Sequence, residues 1–360
     1  MSGRKTETTS NGKTIPAMTA VATMSWAEPG SAEAVKSGGD GMEIDRREPV
    51  QLGESTQWIR IRAANNRNPL LLLVQQGPGL PMINEARAFE RVLPLEDDFT
   101  VIYWDQRGCG RSLRSSSATR ELSIQTMVSD TERLLAMLCD RFDMPAVVAG
   151  FSLGATIAAL AAARRPDLVA TLVAVGMDVD GAAAGRSAYE FVLTTAQARK
   201  NRRAIRQLEA IGPPPHLEPE KFATRARWVA NFGGVRTGHT YNSQVRSLLF
   251  SLLRSPDYSL ADAVRTIRGI TAARAALLPE LEALDLTHTL SRLNCPIVMV
   301  QGRHDQVAPT AFAERYAESL EAPHKQLVWF EHSAHMPHLE EPARFRKLLT
   351  TVRLGLPANA

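Results

Sequence analysis

Short apolar runs alternate with helical segments along most of this 360-residue chain, and the alternation breaks only once, over residues 178–288, where the patterns are helical throughout. Leu70–Val74, Phe99–Tyr103, Pro145–Ala149, Ala170–Val175, Pro296–Val300 and Lys325–Phe330 are each too short for a helix. Several are apolar at consecutive positions, the pattern of a strand buried on both faces. Helices are predicted between them at Asn84–Leu93, from Ser123 onward, at Ala155–Arg165 before Pro166, at Thr310–Leu320 and at Pro342–Thr351. The one from Ser123 places Ile124, Met127, Val128, Thr131, Leu135 and Leu138 on one stripe. Ahead of them, Pro49–Gly53 and Gln57–Arg62 alternate as an antiparallel hairpin does. The class is α/β: a mostly parallel sheet with helices on both faces and an inserted helical cap. The expected organisation is a disordered Ser/Thr/Gly/Lys-rich leader over 1–42, a first core part over 43–177, the cap over 178–288 and a second core part over 289–356.

Gly150-Phe151-Ser152-Leu153-Gly154 joins one predicted strand to the helix after it. A G-x-S-x-G pentapeptide alone arises by chance in roughly one chain in ten of this length, so its setting carries the argument. On so tight a turn the serine hydroxyl stands out from the backbone at the sheet edge, and flanking glycines remove Cβ atoms that would collide.

A serine hydroxyl needs a base, an acid to orient the base, and donors for an oxyanion. Ligands in such sheets bind beyond the carboxyl ends of the strands. Gly302-Arg303-His304-Asp305 follows the Ile297 strand, which nominates Asp305 as the acid; its bland reading is a turn-stabilising Asx residue. Asp178, followed by Asp180, is the competing acid. After the next strand, Glu331-His332-Ser333-Ala334-His335-Met336-Pro337-His338 nominates His335 as the base, with His332 and His338 as loop or supporting residues. No carboxylate or cysteine pattern completes a zinc site around them. Ser152, Asp305 and His335 thus run in the order nucleophile, acid, base. The expected oxyanion donors are the N–H of Leu153, opening its helix, and that of Gln76 or Gly77 in Gln75-Gln76-Gly77-Pro78-Gly79; Pro78 has none to give.

Composition narrows the partners. A net charge of +4, 44% apolar and 22% charged residues are ordinary for a soluble globular protein. Basic clusters at Arg199–Arg203 and between Arg225 and Arg236 have Glu209, Glu218 and Glu220 nearby and read as solvated helix faces, not as a nucleic-acid surface. Three scattered cysteines suggest neither disulfides nor a metal site, and no run is long enough for a membrane helix. The expectation is a cytoplasmic enzyme with no metal or cofactor, acting on a small molecule or short peptide, with homo-oligomerisation left open.

The chain resembles the α/β-hydrolase superfamily over about residues 46–355, in particular its proline iminopeptidase-like branch, grouped with the S33 serine peptidases. Gln75–Gly79 is similar to the branch's H-G-G-P-G, Asp105-Gln106-Arg107-Gly108-Cys109-Gly110-Arg111-Ser112 to its D-Q-R-G-x-G-x-S, and the Ser152 elbow stands with Asp305 and His335. Asp105 and Arg107 are expected to brace the turn behind the site. Two departures stand out. Gln75-Gln76 replaces the branch's His-Gly, and the branch's amine-binding pattern is not recognisable among Tyr189, Glu190, Glu209, Glu218, Trp228 and Phe232 of the cap. Gln75, Phe151, Tyr189, Glu190 and Trp228 are the expected substrate contacts. The resemblance implies a serine hydrolase cleaving an ester, amide or N-terminal imino-acid bond through an acyl-enzyme. The alternatives are a perhydrolase with the same triad, or a catalytically silent relative that binds a small ligand.

Overall fold

The computed structural model describes residues 42–113 and 122–353. The expected leader, apart from Met42, lies outside the described residues. Eight strands form one sheet: β1 (Ile44–Leu52), β2 (Ser55–Ala63), β3 (Leu70–Val74), β4 (Thr100–Asp105), β5 (Ala146–Phe151), β6 (Val169–Val175), β7 (Ile297–Gly302) and β8 (Lys325–Phe330), in the order β1-β2-β4-β3-β5-β6-β7-β8. β1 and β2 pair antiparallel, as do β2 and β4; every other pair is parallel. The predicted hairpin is real but longer than its alternating centre suggests, running from Ile44 opposite Ala63 to Leu52 opposite Ser55.

Burial on both faces explains the unbroken apolar runs. Leu71, Leu73, Val147, Ala149, Val298 and Val300 pack into the core on one side of the sheet, whereas Leu70, Leu72, Val74, Val148, Ile297 and Met299 pack into that on the other. Successive strand residues point to opposite faces, so in a strand covered twice every side chain meets one of the two cores. The first core takes Phe89 of α1 (Ala86–Val92) and Phe345 of α12 (Pro342–Arg353). The second takes residues of α2 (Ile124–Phe142), α3 (Leu153–Arg164) and α10 (Thr310–Ser319). Ala155, Ala158, Ala159 and Ala162 of α3 are all buried, and such short side chains let the helix lie close to the strands.

Between β6 and β7 the chain leaves the sheet for α4 (Gly181–Ala198), α5 (Arg202–Ile211), α6 (Pro219–Asn231), α7 (Tyr241–Arg254), α8 (Leu260–Glu282) and the short α9 (Leu286–Thr289). Another short helix, α11 (Pro337–Glu340), precedes α12. Several hydrogen bonds fasten the insertion to the sheet domain, and two groups of them adjoin the site. Asp257, between α7 and α8, is bound by Arg47 and Arg60, and the adjacent Tyr258 hydroxyl donates to Asp105. Farther back, the carbonyls of Gly234 and Val235 accept the N–H groups of Gln306 and His335, each at 3.0 Å. Among the described residues no helix is long and apolar enough to cross a membrane.

Candidate active site

Four neighbouring parallel strands end in register. Phe151 pairs with Val175, Val175 with Val300, and Gly302 with Phe330. The residues just beyond these ends are Ser152, Asp178, Asp305 and His335, so the sheet delivers them to one edge. β3 adds the Gln75–Gly79 loop beside them, because Val74 pairs with Gly150.

Ser152 occupies the left-handed region, with φ 53° and ψ −125°, although it is not glycine. Its N–H donates to Val175 O at 2.8 Å, and its carbonyl accepts the N–H of Ala155 at 2.8 Å, so the strained turn is held from both sides. The flanking glycines are there for space. A Cβ on Gly150 would lie 2.5 Å from Ala155 Cα, and one on Gly154 would lie 2.2 Å from Gln75 O.

Asp305 and His335 are both buried. Asp305 Oδ2 accepts from His335 Nδ1 at 2.8 Å and from Gln301 Nε2 at 3.0 Å, while Oδ1 accepts the backbone N–H groups of Val307 and Ala308 at 2.8 and 2.9 Å. The Asx reading and the orienting role are therefore divided between the two oxygens of one carboxylate. Burial pulls the His335 pKa down, but Asp305 beside it, with Asp178 and Glu340, more than offsets this and leaves it above the ordinary imidazole value. With Nδ1 bonded to Asp305, Nε2 is the nitrogen left for the cavity.

Asp178, set aside as the competing acid, lies inside this group without replacing Asp305. The Ser152 hydroxyl donates to Asp178 Oδ2 at 3.4 Å, and among the described residues it makes no hydrogen bond to His335. Burial and the Asp305 charge push the Asp178 pKa up to about 6, against the opposing pull of His335 and Ser152.

A cavity of about 130 Å³ opens over Ser152, near the size of an engineered protein cavity that takes a benzene molecule. Its floor includes Ser152, Leu153, His335, Gly77 and Asp178; Ala188, Phe222 and Val229 form an apolar wall from the insertion. Leu153 is the first residue of α3, where an N–H has no partner within the helix and the dipole favours negative charge. Gly77 has φ 59° and lines the cavity, whereas Gln76 is buried and does not line it.

None of the five expected substrate contacts lines this cavity. Phe151 points into the sheet core, its ring centroid 4.3 Å from that of His338. Period-two alternation puts it on the face shared by Val147 and Ala149. Gln75 turns its amide away, donating to Cys109 Sγ at 3.4 Å. The Tyr189 hydroxyl donates to Leu208 O at 3.1 Å between α4 and α5. Trp228 is buried, with Nε1 on Gln207 Oε1 at 3.0 Å, and Glu190 faces solvent. In their place stand Arg225, Arg274 and Glu282, brought together from α6 and α8. Arg225 also departs from the solvated-face reading of its basic cluster: it is buried, donating to Gly185 O at 3.3 Å and reaching Glu282 Oε1 at 3.5 Å.

The bracing expected of the Asp105–Ser112 loop is present. Asp105 Oδ1 accepts the N–H groups of Met82 and Ile83 at 3.0 Å each, and Arg107 forks onto Asp130 at 2.8 and 2.9 Å. His338 is buried, and burial, with His335 and Arg236 nearby, lowers its pKa to about 3. It is a neutral packing partner of Phe151. His332 is exposed. Among the described residues no cluster of His, Cys, Asp and Glu is placed to hold a metal ion.

Comparison with known proteins places this geometry in a family. The family model for the α/β hydrolase fold matches residues 69–342. A protein named "probable aminopeptidase YbaC" from Bacillus subtilis is 28% identical over 303 residues, covering 84% of this chain and 94% of its own. A pimeloyl-[acyl-carrier protein] methyl ester esterase from Chromobacterium violaceum is 27% identical, covering 61% of this chain and 74% of its own. Among solved structures, a proline iminopeptidase of Mycobacterium smegmatis superposes with a TM-score of 0.61 at 19% identity, over 86% of this chain and 98% of that one, a likeness of fold.

Proposed function

The chain belongs to the α/β-hydrolase fold family, and we propose that it is a serine hydrolase that cleaves an ester, an amide or an N-terminal imino-acid bond through an acyl-enzyme on Ser152. The observation that carries this reading is the 2.8 Å bond between Asp305 and His335 at the edge of the cavity that Ser152 also lines.

The mechanism requires the Ser152 hydroxyl to leave Asp178 for His335 Nε2. His335 accepts the proton as Oγ attacks the carbonyl carbon, and Asp305 stabilises the resulting imidazolium. The N–H of Leu153, with that of Gly77 or Gln76, receives the oxyanion. His335 then gives its proton to the leaving amine or alcohol, and water attacks the acyl-enzyme in the same manner. The helical insertion acts as a cap that shapes the acyl pocket. Similarity to an aminopeptidase and to a methyl ester esterase supports the reaction class and leaves the bond type between them.

Turnover of short-chain aryl esters and of a proline arylamide, each measured with the native chain and with Ser152→Ala, tests the reading. Hydrolysis of either substrate that disappears in the variant supports it. Ester turnover without any arylamide turnover defeats the peptidase option, and equal rates in the two proteins defeat the serine mechanism.

A further inference from the structure

Exposed apolar side chains gather at one corner of the helical insertion. Phe250 and Leu253 of α7 are 55% and 62% exposed, and Leu260 and Val264 of α8 are 73% and 48% exposed. Among the described residues, only Met42 and Leu217 join them as large apolar side chains open to solvent. The four flank the short connection 255–259 between the two helices, and none lines the catalytic cavity. Spacings of three and four positions put each pair on one helix face. Single exposed apolar residues are ordinary, whereas a group of them marks an interaction surface.

The corner is firmly mounted. Within the connection Asp257 is bound by Arg47 and Arg60, and the Tyr258 hydroxyl donates to Asp105. Ser259 and Asp262 cap α8 reciprocally.

The accessible charge around it has one sign. Arg246 and Arg254 of α7 and Arg265 and Arg268 of α8 are exposed. From residue 241 to residue 279 the only acids are Asp257 and Asp262, and both are buried. Asp262 is already held by Arg111 at 3.3 Å and Arg265 at 2.8 Å. Glu85, which reaches α7 from the sheet domain, is buried too, accepting from Asn84 Nδ2 at 2.6 Å and from the Ser251 hydroxyl. Arg246 lies one turn before Phe250 and Arg268 one turn after Val264, so cations stand on both flanks of the apolar group. The Arg254 guanidinium lies over the Phe250 ring, 3.9 Å from its centroid.

A second copy of the chain, presenting the same face about a two-fold axis, would set these arginines against one another. An anionic bilayer satisfies both features at once, taking apolar side chains into the acyl boundary and guanidinium groups at the headgroups. We propose that the α7–α8 corner is a docking surface for an anionic lipid bilayer, into which Phe250, Leu253, Leu260 and Val264 insert while Arg246, Arg254 and Arg268 hold the headgroups. So few side chains give a reversible, peripheral attachment. The same helix α8 carries Leu278, Leu281 and Glu282 of the cavity wall, so a docked enzyme keeps its cavity at a fixed distance from the lipid.

Co-sedimentation of the full chain with phosphatidylcholine vesicles, with and without about 30 mol% phosphatidylglycerol, tests the proposal. The native chain is expected to pellet with the anionic vesicles and far less with the neutral ones. Arg246→Ala/Arg268→Ala should weaken binding about 25-fold, at about fivefold for each arginine. Phe250→Ser/Leu253→Ser should weaken it about tenfold or more. Circular dichroism establishes that the variants are folded; if the serine pair is not, the arginine pair decides. Equal binding to both vesicles, undiminished binding in either folded variant, or a native chain that stays in the supernatant overturns the proposal. A dimer that Phe250→Ser/Leu253→Ser abolishes, without vesicle binding, assigns the corner to a second copy and overturns it as well.

Discussion

The two oxygens of Asp305 have separate tasks: Oδ2 holds His335 Nδ1 at 2.8 Å, and Oδ1 holds the turn of Val307 and Ala308 by their N–H groups. Asparagine keeps the second task and reverses the first, because an amide N–H facing Nδ1 imposes the wrong tautomer on His335. Asp305→Asn should therefore fold normally and lose about 10³–10⁴-fold in kcat. Asp305→Ala should also lose about 1–3 kcal/mol of stability, since two buried N–H groups go unpaired. Steady-state kinetics and denaturant unfolding of the two variants separate these effects.

The pH dependence of kcat/KM follows from the same pair. The base form of His335 must be neutral, and the neighbouring carboxylates hold its pKa above the ordinary imidazole value despite burial. The acidic limb should therefore reach half-height above the pH at which an ordinary imidazole titrates. Removing the Asp305 charge should move the limb downward in whatever activity remains. A limb at or below the ordinary range would contradict the arrangement.

Gly234 should matter to the rate even though it belongs to the insertion. Its carbonyl receives the N–H of Gln306, next to Asp305, and a Cβ there would come within 2.5 Å of Gln306 Cβ. Gly234→Ala should push the acid loop and lower kcat by about 10- to 100-fold with little change in KM, as expected when catalytic groups are displaced by about 1 Å. Unchanged kcat would show that the tether does not position the acid.

Asp178 also predicts a pH-dependent stability. Its folded pKa of about 6 lies above the ordinary carboxylate value of 3.8, so the folded state binds the proton more tightly than the unfolded chain does. The ionised side chain thus destabilises the fold, fully above about pH 6, and the penalty fades as the pH falls toward 4. Asp178→Asn should be more stable than the native chain near pH 8, by on the order of 1–3 kcal/mol, and the gain should shrink on acidification. Urea titrations across that range measure it.

What the sequence disclosed and what it concealed have physical causes. A strand buried on both faces with an unbroken apolar run is readable from the sequence, so Leu70–Val74 is legible to the residue. The elbow was legible because its glycines answer a local demand for space. Asp305 and His335 followed from the rule that loops at strand ends carry chemistry. The cavity wall had no such signature. Residue type favoured Tyr189, Glu190 and Trp228, yet helix packing sends the first and last between helices and the second to solvent, and it recruits Arg225 and Glu282 across 57 positions of sequence. Phe151 faces the sheet core because Ser152 leaves the pleat while Phe151 remains in it.

The account stands on Ser152 as the nucleophile, and intact-protein mass spectrometry after treatment with a fluorophosphonate addresses it directly. One phosphonyl adduct per chain, mapped to the Ser152 peptide and absent from a folded Ser152→Ala variant, is the predicted result. A folded native chain that takes up no adduct, or one that carries it equally well in the variant, would contradict the account.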